Sequence, residues 1–332
     1  MKSRIIFFIA FFGCIFTKNY AQDFAIAHKS AAIYNHSHLN PYLVNPAHTG
    51  FEDRGNILFN YRNLWAGFPG APNTLTFALN AAPVSNMGLG GILQIDNFGV
   101  ANRFIGQGNY AYNFRSGANR FSLGLAGKYI QYSLDNEAIT DPLHQGPDIL
   151  INDALNGESF FAADLGFWAE FSNKYRFGLS LPHLVETRLD GAVPVTDEKK
   201  PVAFTAFLGS VWNVESYRMK IEPSIVLRKI SDVPFGTDLN MVAKMIDDRL
   251  IAGFTYSFGP SWHRILFLGG IRIEKLKFYY SYDQSYYDFQ SFNNGSHEVT
   301  LSYDLFSKPS PKMKKSEEVP MEKSEPMDET KN

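Results

Sequence analysis

Cysteine is almost absent from this chain of 332 residues, in which Cys14 is the only one. It lies in an N-terminal stretch where Lys2 and Arg4 precede an apolar run at residues 5–16 and Ala21 follows it. A positive region, a short apolar run and a small residue are typical of a secretory signal peptide. We therefore predict a signal peptide over residues 1–21 and an exported mature chain without disulfides. The alternative interpretation is a lipoprotein acylated at Cys14.

Long apolar runs and a surplus of one charge are also missing. Beyond residue 17 no stretch reaches the roughly 18–20 consecutive apolar residues that a transmembrane helix requires, so helical membrane spans are excluded. The formal net charge is −2, and the 31 Lys and Arg residues are scattered along the chain. Because nucleic-acid binding needs a clustered basic surface, we predict no nucleic-acid partner.

Short segments of alternating character fill the chain from residue 55 onward. In one of them, Phe121, Leu123 and Leu125 fall on one face, whereas Ser122 and Lys128 fall on the other. A period of two is typical of a strand with one apolar and one polar face. About fourteen such segments occur, at residues 55–65, 73–82, 87–96, 103–114, 120–132, 159–171, 175–181, 202–212, 218–228, 237–244, 250–258, 264–273, 275–282 and 296–305. The sequence predicts an all-β fold, a transmembrane antiparallel β-barrel of about fourteen strands over residues 55–306 in the outer membrane.

The lengths of the connections favour a closed barrel over a soluble two-sheet sandwich, which is the competing structural interpretation. Long connections, such as residues 135–158 and 182–201, alternate with short ones, such as residues 83–86. In an outer-membrane barrel with an even number of strands, both termini lie on the periplasmic side. We accordingly predict a periplasmic or plug segment at residues 22–54 and a disordered periplasmic tail at residues 307–332. Aromatic residues at many strand ends predict two girdles in contact with outer-membrane lipid.

No set of residues in the sequence suggests an enzyme. His36 and His38 lie two positions apart but lack a convincing third ligand nearby, so no metal site is predicted. The acidic residues Asp148, Asp153 and Glu158 do not match the spacing of a calcium-binding loop. The sequence predicts no catalytic residues, no metal and no cofactor.

Glycines recur within the predicted strands, as at Gly88, Gly90 and Gly91 and again at Gly124 and Gly127. No helical pattern follows either group, and a phosphate loop needs a helix to supply its amides and its dipole. We interpret these glycines as positions where a strand bends or where crowding is relieved.

Arg62 is a charged residue within the first predicted strand. Alternation places Tyr61 toward lipid and Arg62 toward the lumen, where an arginine needs a partner or water. Asp96 is one candidate partner, and Glu52 or Asp53 before the barrel is the other. Such an ion pair would pin an inward-folded segment.

An ordered series of short motifs runs through residues 40–99. It comprises Asn45-Pro46-Ala47 with Gly50, Tyr61-Arg62 shortly before Trp65, Gly70-Ala71-Pro72 followed by Thr74, and Asp96 followed by Gly99. Two Asn-Pro steps and a closing glycine predict tight turns, because a residue before proline is pushed out of the helical region. In this order the motifs resemble the PorP/SprF family of Bacteroidetes outer-membrane proteins.

The resemblance implies a component of the type IX secretion system, often linked to gliding motility. It implies that the protein helps particular cargo proteins, notably surface adhesins, to reach or attach to the cell surface. It also implies contacts with periplasmic or outer-membrane components of the secretion machine. The alternative function is a small-solute channel or transporter, which the predicted lumen residues Lys128, Arg176, Lys220, Glu222 and Arg228 would equally permit.

Overall fold

The computed structural model describes residues 34–135, 157–189, 203–230, 235–260, 262–286 and 293–307. The predicted signal peptide, the tail beyond Ser307, and the calcium candidates Asp148 and Asp153 lie outside these residues. Within the described ranges, no helix is long and apolar enough to cross a membrane.

A single antiparallel sheet contains all the described strands, and neighbours in the sheet follow chain order. The strands are β1 (Arg54–Asn63), β2 (Asn73–Val84), β3 (Met87–Phe98), β4 (Ala101–Ser116), β5 (Asn119–Leu134), β6 (Glu158–Phe171), β7 (Tyr175–Arg188), β8 (Phe204–Ser210), β9 (Trp212–Val214), β10 (Met219–Lys229), β11 (Gly236–Met245), β12 (Leu250–Gly259), β13 (Trp262–Ile273), β14 (Leu276–Ser285) and β15 (Ser296–Ser307). Both β8 and β9 pair with β10, so the two segments together form one strand of the wall.

The sheet closes on itself, because β1 pairs with β15 and β10 pairs with β11. The described chain is therefore a closed antiparallel barrel of fourteen strands, which confirms the predicted fold class. Closure leaves no free sheet edge along the paired region, as a lipid-embedded wall requires.

The side chains of β1 show how the alternation builds this wall. Leu58 and Asn60 are fully buried, whereas Phe59 and Tyr61 are 44% and 40% exposed on the outer surface. Arg62 points inward and is buried, as the alternation predicts. An outer surface of apolar and aromatic side chains suits lipid, and an inner surface of polar ones suits a lumen.

The two ends of the barrel differ in their connections. At one end, which we call the turn end, a few residues join β2 to β3, β4 to β5, β6 to β7, β11 to β12 and β13 to β14. The opposite end, the loop end, carries the longer connections, including those after β1, β5, β7 and β14. Two connections at the loop end are short, after β3 and after β12, as in the sequence analysis.

The predicted loop at residues 182–201 begins too early, because β7 continues to Arg188 and resumes its pairing with β6 at Val185. The ladder shifts register between Ala163 and Leu165. His183 has a φ of 53°, and its backbone N–H donates to Asp164 Oδ1 at 2.9 Å. Pro182 has no N–H to give to a ladder, and a bulge lets the strand continue past it.

Residues 34–53, which we call the lumenal segment, lie inside the barrel. They include two short 3₁₀-helices, η1 (Pro41–Leu43) and η2 (Pro46–His48). Apolar side chains of the segment join clusters with inward residues of the wall. These clusters pair Tyr34, Tyr42 and Leu43 with Leu58, Ala78 and Ile92, and Ala47 and Phe51 with Trp168, while Leu39 packs on Val242, Ile251, Leu266, Leu268 and Tyr279.

Candidate functional site

The lumenal segment and the wall residues that hold it form the candidate site. Its turns follow from the two Asn-Pro steps, since each proline occupies the first position of a 3₁₀-helix. Asn45 accepts a hydrogen bond from Ala47 N at 3.0 Å through Oδ1. Its Nδ2 donates to the carbonyl oxygens of Phe167 and Leu179 at 3.1 and 3.3 Å. Asn45 therefore both caps η2 and ties it to β6 and β7.

Glycines of the wall make room for this segment. A Cβ atom added at Gly124 would collide with the backbone of Pro46 and Ala47, and one added at Gly88 would collide with the carbonyl of Thr49. Gly50 has a φ of +66°, and a Cβ there would lie 2.6 Å from Gly88 Cα. At Gly88 and Gly124, the sequence-based interpretation of relieved crowding is confirmed, with the lumenal segment as the neighbour.

A buried carboxylate on β15 binds the start of the lumenal segment. Glu298, which is fully buried, accepts hydrogen bonds from Asn35 N at 2.8 Å and His36 N at 3.2 Å. It also accepts from Asn60 Nδ2 on β1 at 2.8 Å. Three donors thus converge on one carboxylate, which offsets much of the cost of burying its charge.

Arg62 lies beside this carboxylate, with Nε 3.6 Å from Glu298 and Nη2 3.8 Å from Asp283. These two acids were not among the predicted partners; of the predicted ones, Asp96 pairs with Arg103 at 2.7 Å, and Asp53 pairs with Arg115 and Arg120. Closure of the barrel places β1 beside β15, and this contact joins residues more than two hundred positions apart.

The imidazole of His36 extends the same network. Its Nδ1 lies 2.7 Å from Thr300 Oγ1, and its Nε2 lies 2.9 Å from Ser281 Oγ. Asn35 Nδ2 donates to Asp283 Oδ2 at 2.8 Å. The start of the lumenal segment is therefore bonded to both β14 and β15.

A second network joins the segment to β2, β3 and β4. Tyr34 OH donates to Gln94 Oε1 at 2.7 Å, and Gln94 Nε2 donates to Asp96 Oδ2 at 2.7 Å. Asp96 is fully buried and also accepts from Thr74 Oγ1 at 2.6 Å and from Arg103 Nε at 2.7 Å. The motif residues Thr74 and Asp96 therefore meet in one cluster.

The end of the segment is held at the turn end of the barrel. Asp53 forms ion pairs with Arg115 and Arg120, and Arg120 also donates to the carbonyl of Phe51. The guanidinium of Arg120 lies 4.4 Å from the centre of the Phe51 ring. His48 packs edge-on against a wall tryptophan, Trp168, at 4.6 Å between ring centres.

Burial controls the protonation of the histidines in the segment. The pKa of His48 is lowered to about 4, mainly by desolvation; Glu52 opposes this shift, and Arg176 and Arg120 add to it. Desolvation and the nearby His36 together lower the pKa of His38 to about 4. Both side chains are neutral near pH 7.

The other predicted motif residues are spread over the loop end and the outer face. Tyr61 faces outward, and Trp65 follows β1 with a φ of 52° and donates through its backbone N–H to Ser296 Oγ. The remaining residues, Gly70, Ala71, Pro72 and Gly99, lie in the connections after β1 and β3. They do not contribute to the clusters around the lumenal segment.

Four residues of the site were not predicted from the sequence, namely Tyr34, Trp168, Asp283 and Glu298, and His36 was considered only as a candidate metal ligand. Alternation marks Asp283 and Glu298 as inward-facing acids, which is an available signal, but it does not reveal which strand lies opposite. Among the described residues, no group of three or more His, Cys, Asp or Glu residues is placed to hold a metal ion.

Comparison with known proteins gives one family match. The family model of the type IX secretion system membrane protein PorP/SprF matches residues 27–303. The chain has no significant match among curated proteins.

Solved structures similar to this chain are outer-membrane proteins. The CymD monoaromatic hydrocarbon channel is 12% identical, with 84% of this chain and 95% of that chain covered and a TM-score of 0.48. The Pseudomonas putida toluene transporter TodX is 11% identical, with 83% and 95% covered and a TM-score of 0.46. The Acinetobacter baumannii protein Omp33 is 8% identical, with 77% and 99% covered and a TM-score of 0.44. At these identities the likeness concerns the fold alone.

Proposed function

This chain belongs to the PorP/SprF family of type IX secretion system membrane proteins, and we propose that it assists the secretion or surface attachment of particular cargo proteins by binding them. It is an outer-membrane protein, and its partners in this role are cargo, such as a surface adhesin, and other components of the secretion machine. In this proposal the barrel works as a docking body, without catalysis and without an open solute path.

The observation that carries the proposal is the occupied lumen. The lumenal segment bonds to β14 and β15 on one side and to β2, β3, β6 and β7 on others. A segment tied to opposite sides of a barrel obstructs passage and braces the wall. We infer that it acts as a plug and that contacts with partners are made at the two ends of the barrel.

The alternative function, a small-solute channel, would use free charges along the lumen. The five candidate residues Lys128, Arg176, Lys220, Glu222 and Arg228 each have a partner of opposite charge in the wall. At Lys128, Arg176, Glu222 and Arg228, which are buried or half-buried, ion pairing favours a rigid barrel over a set of free binding groups for a passing solute. We therefore retain the docking role as the proposed function.

Deletion of the gene, followed by comparison of the surface proteome and the culture medium, tests this function. We expect one or a few specific surface proteins to disappear from the surface, and gliding to fail if one of them is a motility adhesin. Re-expression of the wild-type chain should restore them, and the tagged chain should co-purify with the same proteins. An unchanged surface proteome with a defect in solute uptake would favour the channel.

A further inference from the structure

A charged cavity opens at the turn end of the barrel, next to the lumenal segment. Its volume is about 320 Å³, and an adjoining cavity of about 100 Å³ shares Glu52, Lys244 and Asp248 with it. We call the two together the turn-end vestibule. Its lining includes Asn173 and Asn213, which belong to or border the turn-end connections.

Basic side chains outnumber acidic ones in the lining of the turn-end vestibule. The six basic residues are Arg120, Arg176, Lys220, Lys244, Arg272 and Lys277, against the four acidic residues Glu52, Glu170, Glu222 and Asp248. The side chains of Lys220 and Arg272 are 43% and 32% exposed. Partly exposed ion pairs such as theirs contribute little net stability, so these two cations can exchange partners at low cost.

The C-terminal tail leaves the barrel at this same end. Ser307, the last residue of β15, is paired with Arg54, which follows the vestibule residue Glu52 by two positions. Residues 308–315 contain four lysines and no acid, whereas residues 316–332 contain six acidic and two basic side chains, a formal net charge of −4. The tail is therefore acidic in its distal part.

The basic stretch is long enough to place the acidic part in the vestibule. Lys220 lies on β10, five strands from β15, which is about 24 Å around the wall at the usual strand spacing. Eight residues in extended form span about 26 Å. Because the tail is covalently attached, its local concentration at the vestibule is in the millimolar range typical of a short flexible linker.

We propose that residues 316–332 of the tail bind in the turn-end vestibule, with their carboxylates beside Lys220 and Arg272. The bound tail then occupies the turn end of the barrel, next to the lumenal segment. A partner carrying an acidic segment must displace the tail in order to enter the same cavity.

Disulfide trapping in the full chain tests the proposal. In a Cys14→Ser background, Glu325→Cys is combined with Asn213→Cys, which lines the vestibule, or with Asn86→Cys, an exposed turn-end residue outside it. The purified protein is oxidised in detergent at low salt, and the intramolecular disulfide is followed with time. We expect the pair with Asn213→Cys to form at least about fivefold faster, and the difference to vanish at high salt.

Charge variants separate specific docking from general attraction to a basic surface. Lys220→Gln with Arg272→Gln should abolish the faster trapping at residue 213, because the two cations proposed to bind the carboxylates of the tail are lost. Lys174→Gln with Lys275→Gln removes two charges from the same end, outside the vestibule, and should leave the rate of trapping at residue 213 unchanged. Equal trapping at residues 213 and 86, or equal effects of the two double variants, would overturn the proposal.

Discussion

Glu298 accepts two backbone hydrogen bonds from the start of the lumenal segment, from Asn35 and from His36. In Glu298→Gln the new amide would turn a donor toward one of the backbone N–H groups of Asn35 and His36 and leave Arg62 with less compensating charge. Breaking a buried, hydrogen-bonded ion pair costs about 3–5 kcal/mol. We expect the free energy of unfolding to fall by about 3 kcal/mol, near the lower bound, since one acceptor oxygen remains.

Urea unfolding of the folded barrel, followed by tryptophan fluorescence, measures this loss. Glu215→Gln is the matched control, because Glu215 is exposed in a turn-end connection. Limited proteolysis should also cut the lumenal segment faster in Glu298→Gln than in the control. Equal stability and equal cleavage in both variants would contradict the anchoring role of Glu298.

Gly124 tests how closely the segment packs on the wall. Gly124→Ala should displace η2 and destabilise the folded barrel by about 1–3 kcal/mol, as is usual for overpacking a filled interior. Gly108→Ala is the control, since nothing lies within 4 Å of a Cβ added there. The thermal transition from the folded to the unfolded gel band provides the measurement, and a drop of equal size in both variants would refute the close contact.

His48 makes the stability of the folded protein depend on pH. Its pKa is about 4 in the folded protein because of burial, and about 6.5 when unfolded. The unfolded chain therefore binds the proton first, so the contribution of His48 is complete above pH 6.5 and declines as the pH falls toward 4. Urea midpoints at pH 7.5 and pH 5 should differ less in His48→Gln than in wild type, and an equal difference in the two proteins would contradict this role of His48.

At the scale of single elements, the bulge between β6 and β7 depends on one carboxylate. Asp164 accepts from the backbone of His183 and forms an ion pair with Lys128 at 2.5 Å, and both charged side chains are buried. Asp164→Ala leaves the lysine without its counter-charge, and we expect the free energy of unfolding to fall by about 3–5 kcal/mol.

The double variant Lys128→Met with Asp164→Leu separates the ion pair from the bulge. Replacing both charges with apolar groups should recover part of the loss, because neither charge then needs a partner. The backbone N–H of His183 still lacks its acceptor, so recovery should be incomplete. Full recovery in urea unfolding would show that the bulge needs no side-chain acceptor, and no recovery would show that the ion pair contributes nothing.

Elements differ in how far the sequence could predict them. The period of two located all fourteen wall strands, because the faces of each strand meet lipid and lumen along its whole length. The continuation of β7 past Pro182 could not be predicted, since it depends on a hydrogen-bond acceptor, Asp164, from the neighbouring strand. The partners of Arg62 could not be predicted either, because Asp283 and Glu298 come close to β1 only when the last strands close the barrel.

At the scale of the whole molecule, the contacts of the lumenal segment account for one part of the motif series. Asn45, Pro46, Ala47 and Gly50 define the turns that fill the lumen, and the wall glycines fit those turns. The motif residues Thr74 and Asp96 join the segment through Gln94, whereas Gly70, Ala71, Pro72 and Gly99 lie in the loop-end connections after β1 and β3. The first group thus accounts for the interior of the barrel, and the residues of the connections belong to the loop end, one of the two ends where we propose that partners are bound.

The occupied lumen leads to a prediction of conductance. In planar bilayers the wild-type chain should show little or no steady conductance, because the segment is tied to opposite walls. A chain lacking residues 34–50 keeps Asp53 with its ion pairs and should open a path through the barrel, with conductance at least about tenfold higher. A barrel of fourteen strands is wider than the barrels of about eight strands whose side chains fill the interior.

Folding of the shortened chain is checked independently by its heat-modifiable gel mobility. If it fails to fold, Glu298→Gln combined with Gly124→Ala loosens the segment without removing it and should give brief openings. A high, steady conductance of the wild-type barrel would contradict the plug and favour a solute channel, whereas a folded shortened barrel that stays closed would show that the wall itself blocks passage. Only the combination of a silent wild type and a conducting variant agrees with a docking body whose interior is sealed by its own N-terminal segment.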